Sequence, residues 1–84
     1  MLFRSDEMVV HRLNWQLGPA AGKISVKIRS RHSRANAEIL SFDSGEVRVK
    51  FGVPQKAVTP GQAAAFYDDA GRVIGGGWIL RAFV

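Results

Sequence analysis

Apolar and polar residues alternate with a period of two along most of this chain, which predicts a succession of short β-strands. The clearest run is Lys23-Ile24-Ser25-Val26-Lys27-Ile28-Arg29-Ser30-Arg31. It turns Ile24, Val26 and Ile28 to a core and Lys23, Lys27, Arg29 and Arg31 to the opposite face. Glu46–Phe51 repeats the pattern, with Val47, Val49 and Phe51 inward and Arg48 and Lys50 outward. Met8–Trp15 reads as a first strand with an irregular end, and Ala37–Phe42 as a further one. Ala63–Tyr67 is a strand by context, although its three alanines equally suit the start of a helix. Arg72–Val84 is a last strand or pair of strands. Phe42, Phe51 and Phe66 fall at inward positions.

Turn signals divide these pieces. Gly18–Gly22 is a loop, and His32–Asn36 a turn. Asp43-Ser44-Gly45 is a hairpin loop that needs φ > 0 at Gly45. Gly52-Val53-Pro54-Gln55 ends the Glu46 strand. In Thr59-Pro60-Gly61-Gln62 the Pro-Gly pair suits the centre of a type II turn. Asp68-Asp69-Ala70-Gly71 is another hairpin loop. No stretch reads as a helix longer than two turns. Five or six strands about ten residues apart predict an all-β fold, a small closed antiparallel β-barrel of about six strands. A barrel is preferred to a sandwich because closure removes edges that so short a chain cannot otherwise cover. Residues 1–18 form a lead-in with the first strand, and residues 19–84 the barrel.

Composition narrows the class. Eighty-four residues make one domain, and 46% hydrophobic content argues against disorder. A net charge of +5 and a pI near 10.5 favour an acidic partner: RNA, DNA or an anionic membrane. The membrane is the weakest of these, since no apolar window approaches the length of a span and no basic amphipathic helix is visible. The absence of cysteine excludes disulfides, thiolate metal sites and a cysteine nucleophile, and fits a reducing compartment. Met1–Glu7 lacks the apolar region of a signal peptide, so the cytoplasm is the expected location.

Candidate chemistry concentrates on the cationic strand. Its outward residues recur about every 6.6 Å, close to the spacing of phosphates along a nucleic-acid strand. His32 and Arg34 extend the run, and no acidic residue occurs between Arg12 and Glu38. The plainer alternative is a solvated face, or an edge strand guarded by charge. Gly75-Gly76-Gly77 resembles a phosphate loop, but it leads into the strand-like Trp78-Ile79-Leu80 and no helix follows. A bulge or tight corner where a ring or backbone packs on bare Cα atoms accounts for it better. His11 and His32 have no metal-binding spacing, Asp68-Asp69 suits a turn, and no serine sits in a nucleophile context. No catalytic residue, metal or cofactor is therefore expected. Trp15, Tyr67 and Trp78 are most simply core plugs and alternatively platforms for bases.

Four blocks carry a family likeness: Lys27-Ile28-Arg29-Ser30-Arg31, Pro54-Gln55-Lys56-Ala57-Val58-Thr59-Pro60-Gly61-Gln62, Phe66-Tyr67 and Gly75-Gly76-Gly77. Upstream, Ser5-Asp6-Glu7 and Leu13-Asn14-Trp15 match the segment leading into the same region. On these residues the chain resembles the C-terminal domain of bacterial tRNA-specific 2-thiouridylases, which thiolate the wobble uridine of certain tRNAs. The resemblance implies a six-stranded barrel similar to those of translation factors, at the end of a longer enzyme. In that family an N-terminal ATP-pyrophosphatase domain adenylates the uridine, two cysteines handle sulfur, and a central domain connects to the barrel. None of that chemistry carries over to a chain without cysteine or an ATP loop. Ser30 stands where the family often has tyrosine, and Gly52 where an acidic residue is common. The expectation is a non-catalytic accessory domain that docks tRNA phosphates through Lys23, Lys27, Arg29, Arg31, His32, Arg34, Arg48 and Lys50. The strands bearing Lys27 and Lys50 are taken as neighbours forming one patch. The alternative is a barrel that packs on a catalytic domain or partner protein without touching RNA.

Overall fold

In the computed structural model, which describes residues 4–16, 22–28 and 34–84, the alternating segments are six strands. They are β1 (Arg4–Trp15), β2 (Gly22–Ile28), β3 (Ala35–Asp43), β4 (Glu46–Lys56), β5 (Ala63–Tyr67) and β6 (Val73–Phe83). Every neighbouring pair is antiparallel, and the sheet closes on itself in the order β1-β4-β3-β2-β5-β6. The consecutive β2-β3-β4 with β1 beside β4 is a Greek-key arrangement. β1 is hydrogen-bonded to β4 on one side and β6 on the other, so it closes the barrel.

Period-two burial builds the core. Ile24, Val26 and Ile28 of β2, Val47, Val49 and Phe51 of β4, and Phe66 of β5 are all buried, with Met8, Val10 and Ile79 beside them. Fully burying a side chain of this size contributes roughly 1.5–3 kcal/mol. Phe66 is the largest of the fully buried side chains and stacks on Trp15 at 5.7 Å between centroids.

The turns follow their residues. Ser44 and Gly45 have φ of 53° and 77°, the double left-handed conformation of a two-residue type I′ hairpin. Gly61 has φ of 89°, and the Gln62 amide donates to the Thr59 carbonyl at 3.4 Å, as a Pro-Gly type II turn requires. The three glycines of β6 are a packing device. A Cβ on Gly76 would lie 2.6 Å from the Ala64 carbonyl oxygen, one on Gly77 2.5 Å from that of His11, and one on Gly75 inside the Trp15 ring.

Several expectations are corrected. β3 lies between β2 and β4, so the two basic strands are not neighbours. β4 does not end at Gly52 but runs to Lys56. Its Lys50 pairs with Glu7 and its Gln55 with Ser5, leaving Phe51–Pro54 opposite Asp6 alone. That bulge accommodates Pro54, which has no amide hydrogen to give a ladder. Ala63–Tyr67 is a strand, and Val73–Phe83 is a single strand. Of the turn expected at His32–Asn36, Ala35 and Asn36 belong to β3 instead, and His32 and Ser33 lie outside the described residues. Phe42 is 48% exposed rather than in the core; close to the β3–β4 turn, its ring leans on Trp15. Trp78 is 44% exposed, on the outer face, and plugs nothing.

Candidate nucleic-acid interface

Because Ile24, Val26 and Ile28 are fixed in the core, the pleat places Lys23 and Lys27 on the outer surface of β2. Lys23 is exposed and Lys27 half-buried. Lys27 lies on the β5 side, opposite Ala65. Arg29, Arg31 and His32 lie outside the described residues.

Across the strands the charge pattern differs from that along them. Lys23 pairs with Glu38 of β3, Glu38 with Lys50 of β4, and Lys50 with Glu7 of β1. Neighbouring strands stand about 4.8 Å apart, so this rung alternates cation and carboxylate over four strands. Lys23, Glu38 and Lys50 border one cavity of about 500 Å³ together with Asn36, Gly52 and Asp69. Lys23 and Lys50 are thus brought to one place, but around Glu38 instead of against each other.

Two of the expected arginines are engaged locally. The Arg48 Nε–H donates to the Glu7 carboxylate, and the guanidinium stands 4.7 Å from the centre of the Phe83 ring. An exposed ion pair of this kind contributes at most about 1 kcal/mol, so its main effect is to neutralise Arg48. Arg34 lies 4.8 Å from the centre of the Tyr67 ring and lines a cavity of about 440 Å³ with Ser25, Asn36, Asp68 and Asp69.

Asp68 is a turn anchor. Its Oδ1 accepts from the backbone amides of Ala70 and Arg72, and its Oδ2 from the Arg72 Nε–H, all at 2.9 Å. The backbone bond from Arg72 is the largest cause holding this carboxyl below its ordinary pKa; desolvation opposes it, and the Arg72 guanidinium and the Ala70 amide add to the lowering. Among the described residues no three His, Asp or Glu side chains gather as a metal site would require. No helix among them is long and apolar enough to cross a membrane.

Among the cations that sequence reading passed over are Arg12 and Arg81. Val9 of β1 is buried between Arg48 of β4 and Arg81 of β6, and Arg12 emerges at a bulge in β1. Both placements depend on the β1–β6 closure, which leaves no local signal in the chain.

Comparison with known proteins agrees with the fold. The profile of a domain family described as the aminomethyltransferase β-barrel domain matches residues 5–79. The chain is 42% identical over 80 residues to the tRNA-specific 2-thiouridylase MnmA of Rickettsia bellii, covering 90% of this chain and 22% of the relative. It is 43% identical over 79 residues to the protein of the same name from Chlamydia felis, covering 93% of the chain and 22% of the relative. For that of Orientia tsutsugamushi the identity is 39% over 85 residues, covering 95% and 22%. The chain therefore spans about a fifth of the length of these relatives.

Proposed function

The chain belongs to this β-barrel domain family of the tRNA-specific 2-thiouridylases, and on that premise we propose that it is a non-catalytic accessory domain that docks tRNA for wobble-uridine thiolation. The observation that carries the reading is β2: an apolar edge locked in the core and Lys23 and Lys27 presented outward on a chain of net charge +5. Phosphate contacts of this kind set register and orientation without reading sequence. Lys23, Lys27, Arg29 and Arg31 would follow one backbone, with His32, Arg34, Arg48 and Lys50 around them. The setting is the cytoplasm, the partner is tRNA, and the adenylation and sulfur chemistry belong to other parts of the enzyme.

The test is tRNA binding by the chain and by a variant with Lys27, Arg29 and Arg31 changed to Glu. Three lost phosphate contacts remove roughly 2–3 units of the log–log salt slope. The expected result is loss of binding with an unchanged β-sheet circular dichroism spectrum; undiminished affinity would refute the reading.

A second reading has its own support. Val58, Pro60, Ala82, Phe83 and Val84 line a largely apolar cleft of about 520 Å³ at the end where Arg4 begins β1. A barrel that packs on a catalytic domain through this end, without touching RNA, would keep full stability and lose no function in the charge-reversed variant.

A further inference from the structure

The outer face where β6 meets β1 carries an exposed ring beside Arg12. Trp78 pairs with His11 of β1 on one side and Ala63 of β5 on the other. Simple alternation from the buried Val10 would send Arg12 inward and Leu13 outward. Instead His11 pairs with Trp78 and Asn14 with Gly76, so Arg12 and Leu13 together face Gly77 alone. Arg12 takes up this extra residue with φ of 53°, a left-handed conformation that arginine adopts only at a cost. The phase reset puts Leu13 and Trp15 against the core and leaves Arg12 exposed beside Trp78.

His11, Arg12, Gly61 and Trp78 line a cleft of about 280 Å³. Arg12 and Trp78 also border the adjoining cleft of about 310 Å³, with Asn14, Gln16 and Ala63. Among the described residues no carboxylate lines either cleft. This contrasts with the face of β2, β3, β4 and the start of β1, where Glu38 and Glu7 are interleaved with the lysines. An indole face open to solvent offers stacking, and an adjacent guanidinium offers a phosphate contact. An apolar protein surface would satisfy the ring but strand the cation. A nucleotide whose base is unpaired satisfies both.

We propose that Trp78 stacks on an unpaired base of the bound RNA while Arg12 contacts a flanking phosphate. The proposal rests on the RNA-docking reading above and adds to it a second contact on the opposite side of the barrel. It also gives the strained bulge at Arg12 a purpose, since the same kink turns the guanidinium outward and opens the space beside the ring.

The experiment titrates the 84-residue chain with a short single-stranded RNA of mixed sequence and with the same sequence as a duplex, following tryptophan emission and anisotropy. Single-stranded RNA should quench the emission. Trp78→Ala should weaken its binding about tenfold, the loss of one stacked base, whereas Trp78→Phe should keep most of the affinity. In Trp78→Ala the remaining emission, from Trp15 packed against Phe66, should not respond to RNA. Arg12→Ala should make the salt slope shallower by about one. Since Trp78 is exposed, the variants should melt as the parent does. If Trp78→Ala binds single-stranded RNA as tightly as the parent, the stacking site is wrong while RNA docking stands. If the duplex binds as well as the single strand and suffers the same loss, an unpaired base is not the ligand. If the parent binds neither RNA, the docking reading fails and this proposal with it.

Discussion

The face made by β2, β3, β4 and the first half of β1 and the face made by β5, β6 and the second half of β1 belong to one antiparallel barrel, yet they carry different charge patterns. On the first, Lys23, Glu38, Lys50 and Glu7 lie on one rung, each cation beside a carboxylate. On the second, Ala63–Tyr67 and Val73–Phe83 contain no acidic residue, and the outward positions include small residues, Trp78 and Arg81. The difference teaches that the field of a sheet is set by residues 4–5 Å away on the next strand, not by neighbours in the chain. A cationic sequence run can become a neutral surface, and a bland run can border a cationic one.

The largest expected effect comes from opening the β5–β6 seam that holds the second face together. Gly76 sits where a Cβ would overlap the Ala64 carbonyl, a backbone atom that cannot swing aside. Gly76→Val should therefore cost about 3 kcal/mol or more, at the upper end of overpacking effects. In a domain of this size that lowers Tm by at least about 12 °C. Gly45 is the control: nothing lies within 4 Å of its added Cβ, so Gly45→Ala feels only the positive φ and should cost about 1–2 kcal/mol. Thermal melts of the two variants measure the difference; equal losses would mean that β6 and β5 do not approach as closely as described.

A smaller effect is expected on the first face. Glu38 is the carboxylate between Lys23 and Lys50, so Glu38→Lys turns an alternating rung into three adjacent cations. If tRNA docks on this face, its affinity should rise several-fold at low salt and the salt slope should steepen by about one. Stability should fall slightly through like-charge contact across strands, by roughly 0.2–1 kcal/mol. An unchanged slope in a tRNA titration would assign the docking to the β5–β6–β1 side, where Trp78 and Arg12 lie.

How much of this was legible in the chain depends on the range of the interaction. The inward triplets Ile24-Val26-Ile28 and Val47-Val49-Phe51, the Ser44-Gly45 and Pro60-Gly61 turns and the packing role of Gly75–Gly77 are local or near-local, and they stand as the sequence implied. The Greek-key order is not local: nothing within β2 or β4 records that β3 separates them, so the expected joint patch dissolved once Glu38 was found between Lys23 and Lys50. Bulges defeat period-two reading in the same way. The extra residue at Arg12 shifts the phase of β1, and the run Phe51–Pro54 opposite Asp6 carries β4 past the proline that should have ended it. Phe42 misled for a geometric reason. It shares the inward parity of its pairing partner Val47 but lies close to the turn, where the core has thinned and Trp15 is its cover.

The smallest predicted effect is confined to acid and concerns the Asp68 turn, which joins β5 to β6. Two backbone amides and the Arg72 guanidinium favour the ionised carboxylate, so its folded pKa lies below the ordinary 3.8. The sign follows from linkage. A carboxyl with a depressed folded pKa binds more protons unfolded than folded at intermediate pH, so it adds stability above about pH 4. That contribution disappears as pH falls from 3.8 through the folded value. Asp68→Asn keeps an oxygen to accept from Ala70 and Arg72 but has no charge to lose. The difference in urea midpoint between parent and variant should therefore be constant from pH 7 to pH 5 and shrink below pH 4. A gap that stays the same to pH 2 would mean that the turn is held by hydrogen bonding alone, and that Arg72 contributes no charge-dependent part.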